Sequence, residues 1–174
     1  MVAYDDIVAG HKIEFEFIKE GLEKNELSIY LTHNNIKQVE QEMMSFEIDL
    51  NYCKKKGLLK IHHIGNPAED SLDFMNSIQT TLQKISPNPE IPFRIVGRAI
   101  PDVGTEIAIA LQAKWEKILH NSLFDKLNCS ILCTYDLSQI KANNSWMVWL
   151  NELQKNHHAY VICKNGKTEL TVNT

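Results

Sequence analysis

The two glycine-rich phosphate loops, Gly-x-x-x-x-Gly-Lys-[Ser/Thr] and Gly-x-Gly-x-x-Gly, are both missing from this sequence. Such loops supply a nest of backbone donors, and in the first case a lysine, to the phosphates of a nucleotide. Gly97 and Gly104, with six residues between them, are followed by no Lys-Thr. A nucleotide hydrolase built in the usual way is therefore excluded, because its electrostatic clamp has no source. Cys-x-x-Cys and His-Glu-x-x-His are missing too. The four cysteines, Cys53, Cys129, Cys133 and Cys163, are scattered and do not outline a disulfide framework. No stretch approaches the roughly 18 consecutive apolar residues of a membrane span. The opening Met-Val-Ala-Tyr-Asp-Asp lacks the basic start and apolar segment of a secretory signal, so a cytoplasmic location is expected. There is no excess of basic charge: 18 Lys and Arg stand against 22 Asp and Glu, for a net charge of -4. That balance gives nucleic acid or an anionic membrane no general attraction, and neither is an expected partner. Lys54-Lys55-Lys56 is the one basic run, and it reads as a solvated helix end before Gly57.

What is present is a regular alternation of helical and strand patterns in 174 residues, 44% of them hydrophobic. Helical periodicity covers 11–25, the stretch after Asn35, about 46–55, 68–84, 104–120 and 145–155. Strand patterns cover Leu27–Thr32, Leu58–Ile64, Phe93–Val96, Asn128–Thr134 and His158–Cys163. Asn35 is placed to cap the helix that follows it, and Gly57 to end a helix in the left-handed conformation. Pro87, Pro89 and Pro92 keep 86–92 out of a central strand. Asn165-Gly166 predicts a hairpin turn into an antiparallel edge strand over 168–172. Helices between successive strands imply crossover connections. The expected fold is α/β: a three-layer sandwich around a mostly parallel five-stranded sheet, in one domain spanning 1–174. The chain opens on a helical pattern, which leaves Met1–Tyr4 as no more than a stub of a first strand.

Taken in order, several segments resemble the MEDS family, the sensory domains named from methanogens, methylotrophs and the dichloromethane-responsive regulator. Phe17-Ile18-Lys19-Glu20-Gly21-Leu22-Glu23-Lys24-Asn25-Glu26-Leu27 resembles the family's opening helix and the entry to its next strand. Gly57-Leu58-Leu59-Lys60-Ile61 resembles its middle strand, and Phe93-Arg94-Ile95-Val96-Gly97 its Arg-bearing strand. Trp115-Glu116, Leu132-Cys133-Thr134-Tyr135-Asp136 and His158 complete the likeness, which runs from Gly10-His11 to about His157-His158. Arg98 departs from it, standing where the family often has an acid. The resemblance implies a RecA-like fold, related to recombinases and the circadian-clock kinase, here without a phosphate-binding loop. It also implies a sensor of small, often hydrocarbon-like ligands that works beside DNA-binding or kinase modules.

Ligands of open parallel sheets sit beyond the carboxyl ends of the strands. Arg98, Tyr135 and Asp136 fall at such ends; Cys133 stands just before Tyr135, and His158 opens the last strand. These five form the candidate ligand site. Arg98 offers a fork of donors to an anionic or carbonyl group, with Tyr135 and Asp136 orienting it. An internal Arg–Asp or Arg–Glu pair that fastens loops to the sheet is the competing reading. Arg94, inside its strand, and Glu116, in the following helix, are expected to form a buried structural pair. Cys133 with His158 and Asp136 has the residue types of an activated thiol, but no strained Gly-flanked turn surrounds it. Cys129 and Cys133, even with His62-His63 and His157-His158, lack the spacing of a structural zinc site. No metal and no cofactor are therefore expected. His33 and His120 read as solvated or capping residues, and Trp115, Trp146 and Trp149 as core.

The expected function is a non-enzymatic ligand-sensing domain. It would bind a small molecule, apolar or hydrocarbon-derived, near the strand ends and regulate a separate effector protein. A dimer surface or an apolar pocket wall is the alternative reading of the tryptophans, and a homodimer goes with it. An interaction scaffold of degenerate ATPase-like fold and a cysteine-dependent enzyme are the competing functions.

Overall fold

The computed structural model describes residues 1–65, 91–97, 99–122, 127–164 and 167–172, with Asn76 and Thr80. The helix expected over 68–84, most of the 86–92 loop, Arg98 and the Asn165-Gly166 turn lie outside the described residues. Contacts divide the chain into two compact units. One holds Lys12–Gly97 and Leu127–Leu132; the other holds Met1–His11, Arg98–Lys126 and Cys133–Thr174.

The first unit is built on β2 (Leu27–Thr32), β3 (Leu59–His63), β4 (Phe93–Val96) and β5 (Cys129–Leu132). All pairings are parallel, in the order β3-β2-β4-β5. β4 is buried along its whole length, as a central parallel strand covered on both faces should be. α1 (Ile7–Glu23), α2 (Ile36–Ser45) and α3 (Leu50–Lys55) belong to the same stretch of sequence. Asn35 caps α2 as expected, its side chain accepting from the Lys37 amide. Gly57 takes the predicted left-handed conformation at φ 72°. Phe15, Ile18, Ile29, Met43 and Ile95 are fully buried, and the Phe15 ring lies 5.0 Å from that of Phe46. The buried face of α1 thus runs through Phe15 and Ile18 rather than through Ile13 and Phe17.

Arg94 explains that shift. Its Nε donates to Glu26 Oε2 at 2.6 Å, and one terminal nitrogen donates to Glu20 Oε2 at 3.0 Å and to the Phe17 carbonyl at 3.1 Å. The guanidinium also stands 4.8 Å from the Phe17 ring centre, which keeps that ring beside the charge. The Arg94–Glu116 pair expected from the sequence is therefore corrected: Glu20 and Glu26 are the partners of Arg94. Both lie in the 17–27 segment, whose helix end brings carboxylates within reach of a guanidinium on β4. Gly21 makes the approach possible. A Cβ there would sit 2.6 Å from Ser28 Oγ and 2.7 Å from Arg94 Cδ.

The second unit holds β1 (Val2–Tyr4), β6 (Thr134–Asp136), β7 (Ala159–Lys164) and β8 (Lys167–Val172), in the order β6-β1-β7-β8. β1 pairs in parallel with both neighbours, Val2 opposite Thr134 on one side and Val161 on the other. β8 is the predicted antiparallel edge strand. α4 (Glu106–Ser122), α5 (Leu137–Lys141) and α6 (Trp146–Lys155) complete this unit, with α4 against α6 and α5 against α6 and β6. Trp115 is buried, whereas Trp146 and Trp149 are only half-buried.

The chain is thus α/β, but the single five-stranded sheet expected from the alternation is replaced by two four-stranded ones. Two causes are visible. The supposed stub Met1–Tyr4 contributes a full internal strand. The pattern at 128–134 is two strands broken at Cys133: the Leu132 carbonyl accepts from Gly97 and the Cys133 carbonyl from Val2. Among the described residues no helix is long and apolar enough to cross a membrane.

Two outcomes test the Arg94 anchorage. Gly21→Ala replaces a poor helix former with the best one, a change worth about 1 kcal/mol in favour of an open helix. The crowding described above reverses the sign, and urea unfolding is expected to show a loss of about 1–3 kcal/mol. Lys24, and after it Arg94, hold the Glu20 carboxyl down at about 2. A folded-state value below the unfolded one gives stability that is complete above the ordinary carboxylate range and is lost as pH falls towards 2. Thermal unfolding of Glu20→Gln across that window should therefore fall less steeply than that of the unaltered protein.

Candidate functional site

The densest buried polar group of the second unit forms where one face of α4 meets β6. Gln112, Glu116 and His120 follow one another at four-residue spacing, so a helix stacks them along one side. Gln112 is fully buried and Glu116 is 3% exposed. Tyr135, the middle residue of β6, is fully buried as well. Strand alternation separates it from its neighbours Thr134 and Asp136.

These residues form a hydrogen-bond chain with a fixed direction. The Ile100 amide donates to Gln112 Oε1 at 2.6 Å. Gln112 Nε2 donates to the Tyr135 hydroxyl at 2.7 Å. The Tyr135 hydroxyl in turn donates to Glu116 Oε1. The loop at the start of this chain is held at two further points: Val103 donates to Gln139 Oε1 at 3.3 Å, and Asn143 Nδ2 donates to the Val103 carbonyl at 3.0 Å.

His157 follows the end of α6 and is buried. Its Nδ1 stands 2.7 Å from the Leu153 carbonyl. A carbonyl can only accept, so Nδ1 carries the proton and Nε2 presents a lone pair. Nε2 lies 3.5 Å from Glu116 Oε1. Asn156, the preceding residue, ties this turn to α4 through the Ala113 carbonyl at 3.2 Å. The His120 ring stands 5.5 Å from the His157 ring, nearly perpendicular to it. Cys133, buried, completes the group: the donor atoms of Glu116, Cys133 and His157 all lie within 4.8 Å of one another.

Burial dominates the electrostatics. It raises the Glu116 carboxyl to about 7, with the hydrogen bond from Tyr135 the largest opposing influence. It lowers the His157 imidazole to about 3. Both groups thus favour their uncharged forms far more than they would in water.

The sequence-predicted residues meet different fates. Tyr135 and Cys133 belong to the buried group. Asp136 caps α5, accepting from the Ser138 amide at 2.7 Å. His158 is exposed, with its ring 6.5 Å from that of His120. Arg98 is outside the described residues. Glu116, expected opposite Arg94, is bonded to Tyr135 instead. Gln112 was not singled out, and His157 was weighed only as a zinc ligand beside Cys133 and set aside. The signal for Gln112 was present, as one polar stripe, Gln112-x-x-x-Glu116-x-x-x-His120, beside the apolar stripe of Ile109, Trp115 and Leu119. His120, expected in solvent or at a cap, lies half-buried against His157.

The family described as MEDS, the methanogen/methylotroph, DcmR sensory domain, matches residues 2–157. The chain belongs to the MEDS family. Tyr135, Glu116, Cys133 and His157 all fall within the matched span of this MEDS domain. The fold has a distant solved counterpart in a KaiC-like protein from the hyperthermophilic archaeon Pyrococcus horikoshii OT3. The TM-score is 0.62 at 17% identity, covering 99% of this chain and 76% of that one. No curated protein matched the chain. The MEDS domain thus has a KaiC-like α/β fold and, by family, a sensory role.

The hydrogen-bond chain has an energetic consequence. Tyr135→Phe removes the hydroxyl shared by Gln112 and Glu116 and leaves two buried polar groups short of a partner. The expected loss is about 1–3 kcal/mol in chemical denaturation. A change below about 0.5 kcal/mol, the usual range of a neutral surface substitution, would show that the chain contributes nothing to stability.

Proposed function

We propose that residues 1–174 act as one cytoplasmic, non-enzymatic sensory domain that binds a small molecule beside the end of β6 and regulates a separate effector protein. The observation that carries this reading is the directed chain from the Ile100 amide through Gln112 and Tyr135 to Glu116. It joins a buried polar centre to the loop after Gly97, so a ligand that changes the centre acts on the loop. A sensor needs two states of different ligand affinity, and a loop held by a few side-chain amides can supply them.

Tyr135 and Cys133 would meet the ligand at the centre. Asp136 and His158 would border it, and Arg98, in the 97–104 loop, would supply donors to a carbonyl or anionic group. A small apolar or hydrocarbon-derived compound suits a site with few polar groups. The effector would be another polypeptide, with a second copy of this chain as the alternative. Nucleic acid and membrane are not partners in this reading. An enzyme using Cys133 has less support, since the exposed His158 and the capping Asp136 are each engaged differently from an activating base and its orienting acid.

Native mass spectrometry of protein purified gently from its own host is expected to retain a small molecule. A thermal-shift panel of nucleotides and small apolar compounds should then raise the unfolding midpoint of the unaltered chain. Arg98→Ala, Tyr135→Phe and Asp136→Ala should each blunt that rise. Equal responses in all four proteins would remove these residues from any ligand site.

A further inference from the structure

Of the donor set Glu116, Cys133 and His157, the ligand reading uses Cys133 alone. Each of the three comes from a different element: a carboxylate from α4, a thiol from the junction of β5 and β6, an imidazole from the turn after α6. All three residues are buried. In a tetrahedral zinc site, bonds of about 2.0–2.3 Å put ligand atoms roughly 3.3–3.6 Å from one another. His157 Nε2 and Glu116 Oε1 already stand at 3.5 Å. The full set lies within 4.8 Å, so closure on an ion requires a contraction of roughly 1.5 Å at most.

The surroundings prepare each donor. His157 gives its Nδ1 proton to the Leu153 carbonyl and so directs the Nε2 lone pair towards Glu116. A metal-bound histidine is held by the same kind of contact on its other ring nitrogen. Glu116 receives the Tyr135 hydroxyl, whose direction is set by the chain that starts at the Ile100 amide. An oriented carboxylate is thus aimed at an oriented imidazole, with a thiol beside both.

We propose that Glu116, Cys133 and His157 form a binding site for a divalent transition-metal ion, zinc being the best match. The charges balance: a carboxylate, a thiolate and a neutral imidazole around a dication sum to zero, which suits a buried position. Binding displaces to solvent the Cys133 proton and the proton that burial favours on Glu116, and it involves no redox step. Thiolate and imidazole donors select zinc-like ions over magnesium or calcium, which prefer oxygen. Three protein donors leave one coordination position for water or an outside ligand. The site shares Cys133 with the sensory reading but needs no small-molecule ligand and no effector, so metal binding can fail or hold independently of that reading.

The test uses the full chain, stripped with a chelator and titrated with Co2+ alone. One Co2+ per chain is expected, with the visible bands of tetrahedral cobalt and a thiolate charge-transfer absorption, both abolished by added Zn2+. A Cys53→Ala, Cys129→Ser, Cys163→Ser variant keeps Cys133 as its only thiol and should keep that absorption. Cys133→Ser and His157→Gln should bind at least tenfold more weakly, with circular dichroism confirming that they are folded. X-ray absorption of the unaltered protein with one equivalent of Zn2+ needs no variant and should show a single sulfur among nitrogen and oxygen donors. No sulfur, two or more sulfurs, or a thiolate band that survives in Cys133→Ser would overturn the proposal.

Discussion

A backbone amide can donate a hydrogen bond and cannot accept one. That constraint, applied at Ile100, sets the polarity of the buried centre. The Gln112 side chain has to present oxygen to the amide and nitrogen to Tyr135. The Tyr135 hydroxyl, already accepting, has its proton left for Glu116. Had Gln112 been turned over, the hydroxyl would point its hydrogen back along the helix, and Glu116 would need another donor. Buried polar groups are tolerated when each is satisfied, and a chain anchored on the backbone satisfies them in one arrangement only. The same logic fixes His157 from the other side, through the Leu153 carbonyl.

Local features of the fold were legible in the sequence wherever one residue type has one physical use. Asn35 as a cap, Gly57 in the left-handed region, and the spans of β2 and β4 follow from capping, backbone freedom and apolar runs. Pairing was less legible. Nothing in Cys129–Thr134 announces that hydrogen-bond partners change at Cys133, because the apolar pattern continues through the break. Val2-Ala3-Tyr4 is too short to stand out as a strand, and its burial comes from two neighbours that lie far along the chain. Arg94 shows a related limit: its burial was foreseeable, but its partners depended on a helix end that only the folded chain brings near.

The site divided along similar lines. Tyr135 and Cys133 were singled out because they sit at a strand end, and the structure sets both in the buried polar group. Asp136 shares that position but serves as a helix cap, a use that its place before Leu137-Ser138 also fits. Between His157 and His158, alternation along a strand would make either the inward residue. The chain resolves the choice by ending α6 first, so that His157 turns back onto Leu153 and His158 faces out. The family likeness supplied a sensory role that no local pattern contains, while the distant KaiC-like structure speaks only to the fold.

The position of β1 bears on how the protein is made. Val2–Tyr4 leaves the ribosome long before its partners in the sheet, Thr134–Asp136 and Val161–Cys163. Until those late segments emerge, an apolar strand with two open edges has nothing native to pair with. Long-range parallel pairing of this kind is slow and exposes such edges meanwhile. The nascent chain therefore carries β1 unpaired until β6 and β7 have been made, and chaperone protection of Val2–Tyr4 would matter more here than for a strand whose partners are its neighbours in sequence.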